Sequence, residues 1–255
     1  MDSLPESRTV SLVLTSCNRF DLLEKTLKSF FEFNTYPIAQ HIIIEDSPNR
    51  DKLLRVLAKF PDIAFIALNN DPQLGQMKSI ERAYSEVTSE FIFHCEDDWE
   101  FYRKGFVENS MAVLDHDEKI SNVWLRGFEE IPESRFEKEV HTCKSAPVKF
   151  RYVYPTYTHP KNGITWYGFS LNPGLRRYSD YLLVKPISQF DRESAIGKAY
   201  YELGYKGAML LDGYVRHIGY HRGIRYKANQ PEWYKNFQVR WRKFKAKVLK
   251  TTRLD

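Results

Sequence analysis

Short apolar runs alternate with helical stripes through the first hundred residues. Val10 to Thr15 reads VSLVLT, apolar and rich in β-formers, and Leu22, Leu23, Leu27, Phe30 and Phe31 follow at helical spacing, with Asn18 placed to cap that helix. A second run, His41 to Ile44, ends in the turn Glu45-Asp46-Ser47-Pro48, after which Leu53, Leu54 and Leu57 restart a helical stripe. Ile63 to Leu68 reads as a third strand. Turn residues Asn69-Asn70-Asp71-Pro72 lead to Gly75, which opens a helix with Met77, Ile80, Tyr84 and Val87 on one face, and Phe91 to Phe93 forms a fourth strand. This βαβαβαβ order predicts an α/β fold with a mainly parallel sheet covered by helices.

In such sheets ligands gather outside the carboxyl ends of the strands. The groups expected there are Thr15 to Arg19, Glu45-Asp46, Asn69 to Asp71 and Glu96-Asp97-Asp98. Neither a GxGxxG turn nor a Walker lysine loop is present, so nothing points to a dinucleotide cofactor or P-loop chemistry. Beyond Trp99 the pattern loosens, and residues from Glu129 to Gly174 are rich in Pro, Tyr, Lys and Thr with weak periodicity, as in a long, irregular substrate-side region. Order returns with Ala195, Ala199 and Leu203 at helical spacing, Gly204 as a C-terminal cap, and a strand over Ala208 to Leu211.

Composition narrows the class. At 255 residues and 42% hydrophobic, the chain can bury a core, which excludes general disorder. A net charge of +5 is too modest to mark it as a nucleic-acid binder. No apolar run approaches the ~18–20 residues that span a bilayer, and the polar, acidic start does not read as a signal peptide. Cys17, Cys95 and Cys143 lack CxxC spacing, so neither a disulfide framework nor a zinc site is expected, and a reducing cytoplasm fits.

Glu96-Asp97-Asp98 holds repelling carboxylates together at a strand end, where a cation should compensate; such oxygens suit Mg2+ or Mn2+. By itself the triplet equally reads as an acidic turn. Lys78 and Arg82, one turn apart on the helix after Gly75, add positive charge near the same place or form a solvated face.

Four blocks in order resemble the nucleotide-binding half of GT-A fold glycosyltransferases, family 2 in particular. VSLVLTSCNR is similar to that family's strand-then-TSYNR start, IIIEDSP to IIVDDGS, and LNNDPQLGQMKSIERAYSEVTSEFIFHCEDDWEF to N-x-G…A…GEYI…DDD. The resemblance implies a nucleoside diphosphate sugar donor bound by Thr15, Cys17, Arg19, Asp46, Gly75, Lys78, Arg82, Glu96 and Asp97. Within that set Thr15 would lie near the base, Asp46 would accept from its imide N–H, and Asp97 would face the ribose or sugar. Asp98 would hold the metal. Cys17 stands where the family has a Tyr that stacks on the base. The segment FDRESAIGKAYYELGYKGAML is similar to FDEDxxLxxRxxxxGYxxxxx, which makes Glu193 the general base and Asp191 its rival; both are also suited to cap the helix that follows. HIGYHRG places His217, and after it His221, where a histidine completes the metal shell in several GT-A enzymes. Trp166 and Tyr167, with Asn172-Pro173-Gly174, look like the acceptor-side segment, and a hydrophobic core explains them as well.

From Pro231 to Asp255, eight basic residues against two acidic ones interleave with Trp, Tyr and Phe. This tail suits an anionic membrane surface, and equally a terminal helix packed on its own domain. The sequence thus divides into a nucleotide-sugar half (residues 1–100), an acceptor half of the same GT-A domain (101–225) and the tail (226–255). The expected activity is metal-dependent, inverting transfer from a UDP-linked sugar to a glycan or lipid-linked glycan by a cytoplasmic enzyme, peripheral at the inner membrane face if the tail docks there. Two rivals remain: a sugar-phosphate nucleotidyltransferase, which should show a Gly-rich loop where this chain has SCNRFD, and a non-catalytic sugar-binding relative.

Overall fold

The computed structural model describes residues 8–131, 135–153, 155–157, 165–219 and 222. The chain divides into two compact units, Met1–Arg216 and His217–Asp255. The basic tail and His221 lie outside the described residues.

Seven elements open the chain: β1 (Val10–Ser16), α1 (Phe20–Phe33), β2 (Gln40–Glu45), α2 (Arg50–Leu57), β3 (Phe65–Asn69), α3 (Gln76–Tyr84) and β4 (Phe91–Glu96). Next come β5 (Trp99–Phe101), α4 (Phe106–His116), β6 (Ile120–Trp124), β7 (His141–Thr142), β8 (Lys149–Val153), β9 (Thr156–Tyr157) and β10 (Thr165–Trp166). The remainder is β11 (Gly174–Arg177), α5 (Tyr178–Val184), α6 (Glu193–Glu202), β12 (Lys206–Leu210) and β13 (Val215–His217). Nine strands form one sheet in the order β3-β2-β1-β4-β11-β6-β12-β8-β7, while β9 pairs with β10 and β5 with β13. As expected, β1 to β4 are all parallel; β11 runs antiparallel to both its neighbours.

The early strands read as unbroken apolar runs because the sheet buries both faces. Leu12, Leu14, Ile43 and Phe93 point to one side, where α1, α2 and α4 cover them; Val13, Ile42, Ile44 and Ile92 point to the other, toward α3, α5 and α6. Phe30 of α1 sits among the rings of Phe31, Phe93, Phe101 and Phe106 at 5.3–5.6 Å.

Several local expectations are corrected. Asn18 does not cap α1: Arg19 holds the cap position, and Asn18 adopts φ 56 in the left-handed region that short polar side chains tolerate. In α2 the buried residues are Leu53, Val56 and Leu57, with Leu54 42% exposed. The buried stripe of α6 is Ile196, Gly197 and Tyr200, so the small residues Ala195 and Ala199 flank it and Leu203 is exposed. Helix α3 ends at Tyr84, yet Val87 is buried just beyond it. Strand β3 begins at Phe65 because Ile63 is held in a turn by the Phe60 carbonyl. Strand β4 runs on to Glu96, which fixes the acidic triplet at the sheet's carboxyl edge.

Candidate active site

The register explains how residues far apart in sequence meet. At the carboxyl ends of the strands, Ser16 lies opposite Glu45, and Thr15 opposite both Ile44 and Glu96. Asp46, just past β2, is buried and accepts hydrogen bonds from the amides of Leu74 and Gly75, both at 2.8 Å, and from Asn70 Nδ2 at 2.9 Å. It therefore ties down the loop entering α3, where Gly75 adopts φ +86, a conformation that glycine takes at little cost. Beside it, Glu45 is fully buried; one carboxylate oxygen accepts the Asn18 amide and the other, Oε2, has no hydrogen-bond partner.

Asp97 (0% exposed) and Asp98 are both buried, and the Arg19 guanidinium bridges them. Its Nη2 and Nε reach Asp97, and its Nη1 reaches Asp98. Asp97 also accepts the Ser16 hydroxyl at 3.0 Å and the Cys17 amide at 3.3 Å. Burial lowers the Arg19 pKa, but the charges of Asp97 and Asp98 outweigh that and raise it, so the arginine stays charged. Burial pushes Asp97 up to about 7 against the pull of Arg19. Glu96, which accepts Gln76 Nε2 at 2.8 Å, is pushed up to about 8 by burial and then by the charges of Asp98, Glu193 and Asp97. These carboxylates need a cation nearby. Their oxygen donor set suits Mg2+ or Mn2+, and Asp97 and Asp98 already converge on one positive centre.

Cys17 is partly buried, with its Sγ 3.2 Å from the Asp46 carbonyl and 3.3 Å from Gln73 Nε2; burial and the charges of Glu45, Asp46 and Asp97 push its thiol up to about 11. Lys78 and Arg82 part company. Both are exposed, but Arg82 is fastened to the end of β3 through the Asn69 carbonyl and Asn70 Oδ1.

On the acceptor side Glu193 opens α6 and accepts the Leu171 amide at 2.8 Å, with its charge felt at Glu96. Asp191 is exposed and lies against Arg192. The two residues differ in setting: Glu193 lies within electrostatic reach of Glu96, whereas Asp191 is exposed at the surface. Trp166 is a core residue, edge to face with Trp124 at 4.9 Å, while Tyr167 is half-buried against Tyr201. Gly174 presses on the Val123 carbonyl, where a Cβ would stand 2.3 Å away. His217 ends β13 and is the first residue of the second unit.

Sequence reasoning missed the Arg19 bridge, because 78 residues separate its partners. It also missed Glu137, Glu139 and His141, whose ligating atoms come within 4.8 Å of one another at the β7 edge of the sheet. Their spacing at every second residue was the available signal.

A sequence profile of glycosyl transferase family 2 matches residues 11–180. No curated protein matches the chain in sequence. Among solved structures, mannosyltransferase PcManGT from Pyrobaculum calidifontis, in complex with GDP-Man and Mn2+, superposes with a TM-score of 0.54 at 13% identity, covering 80% of this chain. S. aureus TarS 1–349 in complex with UDP-GlcNAc gives 0.57 at 15%, covering 89% of this chain and 69% of its own. GalNAc-T7 with UDP, GalNAc and Mn2+ gives 0.59 at 13%, covering 88% of this chain. The chain spans 55% of PcManGT and 45% of GalNAc-T7, so these likenesses speak for the shared fold. With the profile covering most of the chain and the carboxylates gathered at the sheet's carboxyl edge, the protein belongs to glycosyl transferase family 2 and has the GT-A fold.

Proposed function

We propose that the protein moves a hexose from a nucleoside diphosphate sugar, UDP-linked, to a hydroxyl of a glycan or lipid-linked glycan, with inversion at the anomeric carbon. The observation that carries this reading is the gathering of Glu96, Asp97 and Asp98 at the end of β4, with Glu193, held by the Leu171 amide at the start of α6, near enough for its charge to act on Glu96. Transfer needs both, one for the leaving diphosphate and one for the attacking hydroxyl.

On the donor side, Asp46 uses three of the roughly four acceptor positions of a carboxylate on its own loop, which leaves one for the imide N–H of uracil. Cys17 offers a thiol rather than a ring to the base. Two of the similar structures hold UDP or a UDP-sugar, which favours uridine. Asp97 would orient the ribose or sugar through whichever oxygen Arg19 and Ser16 leave to it. Asp98 would hold Mn2+ or Mg2+, with Arg19 ceding its place on that carboxylate; when bound, the ion supplies positive charge against the departing diphosphate. Lys78, exposed on α3, adds to that charge. Glu193 takes the proton of the acceptor hydroxyl, its carboxylate oriented by the Leu171 amide.

A thermal-shift panel of UDP-, GDP- and CMP-sugars with and without Mn2+ tests the donor half, since a ligand bound only to the native state raises Tm. A Mn2+-dependent rise with UDP-sugars is expected. An equal rise without metal would remove the role given to Asp98, and silence across the panel would remove the donor.

A further inference from the structure

Past β6 the chain collects arginines on one aromatic layer. Trp124, Phe128, Phe136 and Trp166 belong to a small core of their own, in which Phe128 and Phe136 meet edge to face at 4.7 Å. The Arg135 guanidinium lies 5.0 Å from the Trp166 ring centre and that of Arg151 5.3 Å from Phe128, while Arg126 sits 5.4 Å from Trp99. Of the three, Arg126 is ion-paired, with Glu130 at 2.8 Å. Among the described residues neither Arg135 nor Arg151 is ion-paired with a carboxylate. Two donors in this layer are buried and unmatched: the Nε of Arg151 and the indole N–H of Trp124.

Guanidiniums packed on rings and partly removed from water, with spare N–H groups, favour an incoming oxyanion, because the planar fork matches phosphate and carboxylate geometry. Burial lowers the Arg135 pKa and the Arg126 charge lowers it further, while Glu193 pulls the other way, so Arg135 stands within electrostatic reach of both. A backbone path joins the layer to the same glutamate. From Trp166 the chain passes Tyr167 and Phe169, whose side chains crowd Gly197 of α6, and reaches Leu171, which donates to Glu193.

We propose that Arg135 and Arg151, on their aromatic layer, form an acceptor subsite for an oxyanion, so that the acceptor carries a phosphate or carboxylate beside the hydroxyl offered to Glu193. This rests on Glu193 being the base. The subsite accounts for arginines that lie on this layer without a carboxylate partner, one of them within electrostatic reach of Glu193. An uncharged glycan would leave those donors unmatched, at a cost for each buried group.

The test uses the full chain with its donor pocket filled by UDP and Mn2+, UDP binding being checked first by thermal shift. Methyl phosphate and glucuronate are then titrated by saturation-transfer NMR. One of the two is expected to bind with a millimolar Kd that survives UDP saturation, and Arg135→Gln or Arg151→Gln should weaken it at least five-fold at unchanged Tm. The preferred probe identifies the group as phosphate or carboxylate. If a glutamine variant fails to fold, Arg135→Lys, which keeps the charge and loses the fork, should still weaken binding at least two-fold. No binding to the wild type, loss of binding once UDP is present, or indifference to both arginines overturns the subsite. Absence of UDP binding with an Arg135-dependent phosphate response would overturn the donor reading and support the anion site.

Discussion

The β3-β2-β1-β4 side of the sheet is made of consecutive βα units, all parallel, whereas the other five strands mix directions and β11 lies wedged between β4 and β6. On the first side, strand ends hold the binding groups directly: Asp46 follows β2, and Asp97 and Asp98 follow β4, all buried and cross-linked by Arg19, Ser16 and backbone amides. On the second side, Glu193 hangs from the first turn of a helix and takes its orientation from the amide of a loop residue. On the function proposed above, a cross-linked donor platform faces an acceptor wall assembled from loops. Variation in acceptor can be absorbed by the wall without disturbing the platform.

That division can be broken most severely at Glu193. Glu193→Gln is expected to lower transfer by about 10²–10⁴-fold, the range of general base catalysis, with the UDP-sugar thermal shift unchanged and Asp191→Asn within a few-fold of wild type. Loss of donor binding along with turnover would show that the halves are not separate in function. In the platform, Phe30→Ala should cost about 3–5 kcal/mol in urea unfolding, as for other buried aromatic truncations; a much smaller value would mean that α1 is not packed as the ring cluster indicates. Gly174→Ala probes the seam between the halves. Its added methyl would meet the Val123 carbonyl, and a loss of about 1–3 kcal/mol is expected. An unchanged urea midpoint would show that β11 yields easily.

The smallest effect belongs to Asp117 at the far end of β6. Burial alone would raise its pKa, but the Lys119 amide, the Tyr152 hydroxyl and the Lys206 charge outweigh it and hold the carboxyl below its ordinary 3.8. The native state therefore favours the ionised form, which adds stability above that value and loses it as pH falls through the lower native pKa. Asp117→Asn should flatten the acid limb of the stability curve, and an unaltered limb would deny the residue that role.

The contrast also sets what was legible in the sequence. Residues 10–96 could be read because β1, β2 and β4 bury residues on both faces and each helix follows its strand closely, so Val10 to Thr15 and the Leu22-Leu27-Phe30 stripe carry their own periodicity. Local chemistry misled at Asn18, whose polar side chain serves a left-handed turn as readily as a cap. Beyond residue 100, two-residue strands such as β7 and β10 are too short to show a period. The insertion of β11 leaves no trace in the pattern, because the partners of Leu175 are Phe93 and Val123, far away in the chain. The acidic triplet is legible from its place at a strand end, whereas Glu193 stands out only through resemblance. The pairing of Arg19 with Asp97 and Asp98, and the reach of Arg135 to Glu193, have no local signature, since the partners lie far apart in the chain.

Because β4 and β6 touch only through β11, translation leaves both of their inner edges bare until residues 174–177 have left the ribosome. Exposed parallel edges are templates for unwanted pairing, and ladders closed by distant segments form slowly. The seam between these two strands therefore stays open to clumping until one four-residue strand arrives, and substitutions there should lower yield in cells before they lower the activity of the molecules that mature.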